Sequence, residues 1–161
     1  MVQIPSIRKR FPKYNDYASH PFEELFSKEE RVNGYVKEAS QMASCYIENK
    51  GKAGFSIHQL PIEAQMAPVN GIQSADFNHD GKPDLLLAGN FYGAETIGGQ
   101  QDAGKGLLLA GDGKGHFRTV SNSGLSLDKD VKSIARLNRM DGSVWWLIGN
   151  NGGALEVWTG K

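Results

Sequence analysis

The chain has 161 residues, with 18 Lys plus Arg against 18 Asp plus Glu and a formal net charge of zero. That length suits one domain with a core of its own, and the balanced charge leaves no field to recruit nucleic acid or an anionic membrane. The longest apolar runs, 85–88 and 107–110, are far too short to span a bilayer, so no membrane insertion is expected. The opening MVQIPSIRKRFPKYNDY has no apolar h-region, so this chain is read without a signal peptide. Cys45 is the single cysteine. It excludes an intrachain disulfide but leaves the compartment open.

Residues 1–42 read as a helical segment. Pro21 suits a first helical position ahead of Phe22, Leu25 and Phe26. Ser27 to Glu30 fits a capping box, with Ser27 receiving free N–H groups and Glu30 reaching back. Val32, Tyr35, Val36 and Ala39 follow at helical spacing. The expected role of this stripe is to pack on a sheet; a partner-binding helix pair is the other reading.

From about Ala43 the texture changes to short strands, expected at 43–48, 55–60, 71–75, 85–90, 106–110, 116–120, 131–137, 144–149 and 154–158. The turns between them are rich in glycine, of which the chain has 20. Glycine supplies the positive φ that tight hairpins need, so the composition favours an all-β architecture. The strands also repeat. GKAGFSIHQL matches GKGHFRTV, setting Phe55 against Phe117; SADFNHDGKPDLLLAGN matches SIARLNRMDGSVWWLIGNN, setting Ala75 against Ala135. The expected fold is mainly β: two four-stranded β-propeller-type blades, 43–90 and 105–150, with an extra strand at 154–158 that begins a third unit. Two unrelated hairpin pairs in a sandwich are the competing arrangement.

The strongest chemical signal is Asp76-Phe-Asn78-His-Asp80-Gly81-Lys82-Pro-Asp84. Oxygen ligands at alternate positions suit a hard cation with many ligands, which is Ca²⁺; Mg²⁺ keeps more water and fits less well. Asp76, Asn78 and Asp80 would point inward, Gly81 would permit the sharp turn, Lys82 would offer its backbone carbonyl, and Asp84 would close the site. An EF-hand needs a bidentate Glu at the twelfth position and a following helix. Here that position is Leu87, inside an apolar run that reads as a buried strand. Without an ion, the same letters would make an acidic Asx turn.

These residues carry a family resemblance. ADFNHDGKPDLLLAGN resembles the FG-GAP/VCBS repeat, the calcium-loop unit of integrin-α-like β-propellers, and GLLLAGDGKGHFRTV resembles its strand–turn–strand half. The likeness covers roughly residues 43–159. More loosely, FPKYNDYASHPFEELF, SCYIEN and LPIEAQMAPVNGI resemble the C-terminal portion of large VCBS-repeat proteins, including ones with an ASPIC/UnbV-type domain. The resemblance implies a secreted or cell-surface propeller module that binds a protein or glycan, with Ca²⁺ held by Asp76, Asn78, Asp80, the Lys82 carbonyl and Asp84. It also implies upstream blades in a longer parent chain; without them, self-association is expected. The second unit has Arg136, Asn138, Met140 and Val144 where the first has its ligands, so no ion is expected there.

Other constellations point away from catalysis. No Ser-His-Asp or Cys-His order has useful spacing, and Cys45 reads as a small core residue. GDGKG at 111–115 lacks phosphate-loop spacing and precedes a strand, so it reads as a hairpin turn. The long linker after Asn90 offers a candidate ligand rim of Phe91, Tyr92, Glu95, Gln100, Gln101 and Asp102. The chain is therefore read as a binding module and not an enzyme. A structural part of a larger propeller is a second reading. A glycan-active enzyme is a third, to be recognised by a paired-carboxylate cleft.

Overall fold

The computed structural model describes residues 4–32, 34–35, 37–94 and 98–159. The chain divides into two compact units, 1–41 and 42–161, described in turn.

Among its described residues the first unit holds four short helices: α1 (Pro5–Arg10), α2 (Tyr14–Ala18), α3 (Phe22–Leu25) and α4 (Lys28–Arg31). The capping box forms as expected: Glu30 N–H donates to Ser27 Oγ and Ser27 N–H donates to Glu30 Oε2. Pro21 is the N-cap of α3 in extended conformation, one place earlier than its expected position inside the helix. The helix expected over Val32, Tyr35, Val36 and Ala39 is absent among the described residues. The helix ends at Arg31 with Val32 as its αR C-cap, Gly34 N–H closes a tight turn on the Arg31 carbonyl, and Val32 and Tyr35 are exposed. Val36 lies outside the described residues. A β-branched, glycine-broken stretch has too little helix propensity to continue without a surface to bury. Arg10 ties the unit together, donating to both carboxylate oxygens of Glu30 at 2.8 and 3.0 Å and to the Leu25 carbonyl.

Among its described residues the second unit holds nine strands: β1 (Cys45–Asn49), β2 (Phe55–Gln59), β3 (Gly71–Ala75), β4 (Asp84–Ala88), β5 (Leu107–Gly111), β6 (Phe117–Thr119), β7 (Val131–Asn138), β8 (Val144–Asn150) and β9 (Glu156–Thr159). Every expected strand is present, within a few residues at each end. Their grouping differs from the expectation. In place of two four-stranded sheets the described residues form three antiparallel ones, β1–β2, β3–β4–β5–β6 and β7–β8–β9, and among these residues none closes on itself. The sequence repeat is thus offset from the sheet: one sheet takes its first two strands from the first repeat and its last two from the second. Strand pairing follows the short β4-to-β5 contact of two apolar runs, Leu85↔Leu109 and Leu87↔Leu107, which the similarity of the units does not reveal.

The central sheet is covered on both faces. Leu87 and Leu109 point one way, into a cluster with Leu60, Ala64, Tyr46 and Phe117 that joins the β1–β2 hairpin to the sheet. Leu86 and Ala88 point the other way and pack against Ile134, Trp146 and Ile148 of the C-terminal sheet. Because successive strand residues face opposite sides, an apolar run such as Leu85–Ala88 is what a strand buried on both faces requires. The adjacent first strands of the two sheets are also clamped: Asn70 Nδ2 donates to the Val131 carbonyl and Gln73 Nε2 to the Ile134 carbonyl. Leu109 is fully buried, and Leu109→Ala should cost roughly 3–5 kcal/mol in a denaturant titration, since the surrounding rows cannot collapse to fill the void. A loss under about 1 kcal/mol would contradict that packing.

Candidate metal centre

The acidic loop joins β3 to β4 at one end of the central sheet. It folds by turning its side chains onto its own amides. Asp76 accepts from Asp80 N–H at 3.0 Å and Gly81 N–H at 2.8 Å; Asn78 Oδ1 accepts from the same Asp80 N–H at 2.9 Å. Asp80 Oδ1 accepts from Lys82 N–H at 2.9 Å, and the Lys82 ammonium stands 3.7 Å from its other oxygen. Two residues reach positive φ, His79 at 61° and Gly81 at 82°. Gly81 supplies the reversal without a Cβ penalty, while His79 carries the αL conformation on an exposed side chain. Asp76, Asn78 and Asp80 are all exposed, so their oxygens lie at the protein surface.

Asp84 behaves differently. It is fully buried, and both of its oxygens are occupied by backbone donors: Oδ2 accepts from Phe77 and Asn78, and Oδ1 accepts from Gly111 of β5 at 2.9 Å. It bolts the loop to the neighbouring strand pair. Gly111 allows this approach, since a Cβ there would stand 2.1 Å from the Pro83 carbonyl oxygen. Among the described residues no three His, Cys, Asp or Glu side chains gather as a metal-holding group. The donor chemistry nevertheless fits a hard cation. Each carboxylate or amide oxygen holding one N–H keeps a further lone pair, and Asp76 and Asn78 already share one amide between them.

In the other repeat the corresponding turn runs from Arg139 to Ser143, with Asp141 accepting from Ser143 N–H and Oγ. Val144, set against Asp84 by the repeat, pairs with Asn138 at the start of β8, and the neighbouring Trp145 takes Arg139 over its ring at 4.5 Å.

A second turn lies at the same end of the sheet. Asp112 accepts from the backbone N–H groups of Lys114 and His116 and from the His116 ring at 2.8 Å. The Lys114 amide, then the His116 ring and amide, pull the Asp112 carboxyl down to about 2. A depressed folded-state pKa contributes stability that is present above the usual value near 4 and is lost as pH falls through about 2. Wild type should therefore lose thermal stability between roughly pH 4 and 2 more steeply than Asp112→Asn. Parallel melting curves across that window would remove Asp112 from the account.

The proposed ligand rim lies at the opposite end of the central sheet, since antiparallel connections alternate ends. Phe91 and Gln101 pair as an isolated bridge, with N–H to carbonyl bonds of 2.9 Å in both directions. Tyr92 donates its hydroxyl to the Asp128 carbonyl at 2.6 Å. Gln100 and Asp102 are exposed, and Glu95 lies outside the described residues. The rim and the acidic loop are thus not brought together.

Between the rim and the C-terminal sheet sits a polar centre that the sequence reading missed. Asn90 is fully buried and uses its whole amide: Nδ2 faces the carbonyls of Gly104, Asp128 and Lys129, while Oδ1 accepts from Gly104 N–H. Its own carbonyl accepts from Asn70 Nδ2 and from Lys132 Nζ. Lys132 sits at a register shift in β7 and also pairs with buried Asp130 at 2.6 Å. That ion pair, with Asn151, holds the Asp130 carboxyl below the usual range. The available signal was the Gly-Asn pair ending both long apolar strands, Gly89-Asn90 and Gly149-Asn150. No family model, curated protein or solved structure matches this chain.

Proposed function

We propose that this chain is a calcium-stabilised β-repeat module of FG-GAP/VCBS type that acts by binding and not by catalysis. The observation that carries the reading is the 76–84 loop, in which Asp76, Asn78 and Asp80 wrap exposed oxygens around one turn while Gly81 takes the positive φ that reverses the chain. Ca²⁺ would be held by Asp76, Asn78, Asp80, the Lys82 carbonyl and Asp84. Its contribution would be to offset the mutual repulsion of the carboxylates and to fix the loop against β5. The module would work at the cell surface or outside the cell, where Ca²⁺ is plentiful enough for a weak site, and its ligand would be a protein or glycan met by Phe91, Tyr92, Glu95, Gln100, Gln101 and Asp102.

The sheet grouping favours a second, compatible reading. A two-stranded, a four-stranded and a three-stranded sheet stacked in sequence suit consecutive blades of a propeller cut from a longer chain, whose upstream blades would complete it.

Calcium should raise the unfolding free energy by about 2.7 kcal/mol at a hundredfold excess over Kd. Melting in Ca²⁺ and in chelator, with calorimetric titration, checks this. Asp80→Ala should abolish the response and Asp141→Ala should leave it intact. An unchanged midpoint with no heat of binding would sink the calcium reading.

A further inference from the structure

We infer that the chain associates head-to-tail with further copies of itself, the outward face of the β7–β8–β9 sheet of one copy covering the outward face of the β1–β2 hairpin of the next.

The argument starts from the repeat. Aligned on Phe55 and Phe117, Ile47 of β1 occupies the position of Leu109 in β5. Leu109 is 0 % exposed because the hairpin covers it; Ile47 is 61 % exposed. Phe117 is half-buried against the Tyr46 ring, at 5.8 Å between centroids, whereas Phe55 is 72 % exposed. Ile57 pairs directly with Ile47, so the three form one apolar patch on the hairpin face pointing away from the central sheet. The same residue types at the same places are core in one repeat and surface in the other.

The opposite end of the stack carries the converse. In the C-terminal sheet Trp146, Ile148 and Trp158 point inward to the central sheet. Leu147 and Val157, a directly paired couple, therefore point outward together with Leu137 and Trp145. Leu147 thus lies on the face of its sheet turned away from the preceding sheet, as Leu86 does in the central sheet, and Leu86 is the residue with which the central sheet covers its neighbour. One end of the stack thus offers a face of the covering kind, and the other a face of the covered kind. The hairpin patch is exposed, and the C-terminal one combines exposed Leu137 and Val157 with half-buried Trp145 and Leu147; a monomer surface seldom leaves two such apolar faces without a partner. A second copy supplies both missing partners by repeating a packing already made inside each chain. Unlike faces meeting make a heterologous contact, which builds rings or open chains and not closed two-fold dimers. The inference rests on the repeat packing of the sheets, not on the calcium loop.

Sedimentation and light scattering on the full chain, from low micromolar to near millimolar, test it. Wild type should grow in mass with concentration. Ile57→Lys and Val157→Lys place a charge on one face each, at exposed positions that leave the fold intact, and each should weaken self-association by roughly 30-fold or more. Mixed in equal amounts, the two variants should regain a one-to-one dimer, because each retains the face the other has lost. A wild type that stays monomeric throughout would overturn the inference. So would variants that associate like wild type, or a mixture that stays monomeric. Calcium-dependent melting is scored separately on the same samples, so failure here leaves the loop reading to stand or fall alone.

Discussion

Replacing Asp84 by Ala should destabilise the fold by about 3–5 kcal/mol, a drop of roughly 10 °C in Tm, even in chelator. The carboxylate is fully buried and receives three backbone N–H groups, two from its own loop and one from β5. Alanine strands all three donors, and Gly111 N–H is itself buried. The cost is the desolvation of those groups, which exceeds the net value of the bonds. Asp84→Asn keeps one acceptor and turns an amide donor toward an N–H, so it should recover little. Asp80→Ala, at an exposed position, should cost under about 1 kcal/mol in chelator yet remove the calcium response. Urea titrations of the three variants, with and without Ca²⁺, separate the two roles. If Asp84→Ala loses no more than Asp80→Ala in chelator, Asp84 is not the bolt described above.

Asn90 should be nearly as sensitive. Asn90→Ala removes four side-chain hydrogen bonds from a fully buried site, leaving Gly104 N–H and three carbonyls to find other partners, at about 2–4 kcal/mol. The isosteric Asn90→Asp is the sharper probe. It keeps the Gly104 contact but points a carboxylate oxygen at the carbonyls of Gly104, Asp128 and Lys129. Asp should therefore be worse than Ala despite its matching shape, because a buried like-sign contact costs more than a void of one amide. Equilibrium unfolding ranks the pair. Asp equal to or better than Ala would show that Lys132, which already reaches the Asn90 carbonyl, can neutralise the new charge.

The two sites differ in how plainly they were written. The acidic loop was legible because its chemistry is local: alternate oxygen side chains and one glycine fold back on amides two to five residues away, and spacing alone specifies that. Asn90 reads from its letters as the end of a strand before a linker; its partners lie in 104, 128 and 129, and nothing in the neighbouring letters announces them. Asp84 was read as a ligand by position, and its contact with Gly111 depends on β4 lying beside β5.

By itself, then, the sequence determined the nine described strands, the capping box of α4 and the turn glycines, Gly81 of the acidic loop among them. Each depends on short apolar runs, on period-2 alternation or on backbone preferences acting over a few residues. Tertiary structure decided which strands share a sheet. Repeated units of similar composition can pair within a repeat or across two, and the apolar match of β4 with β5 selects the second, giving sheets of two, four and three strands. It likewise decided that Ile47 lies bare while its counterpart Leu109 is core. Hydrophobicity states that a side chain favours burial; only the packed neighbour determines whether it is buried.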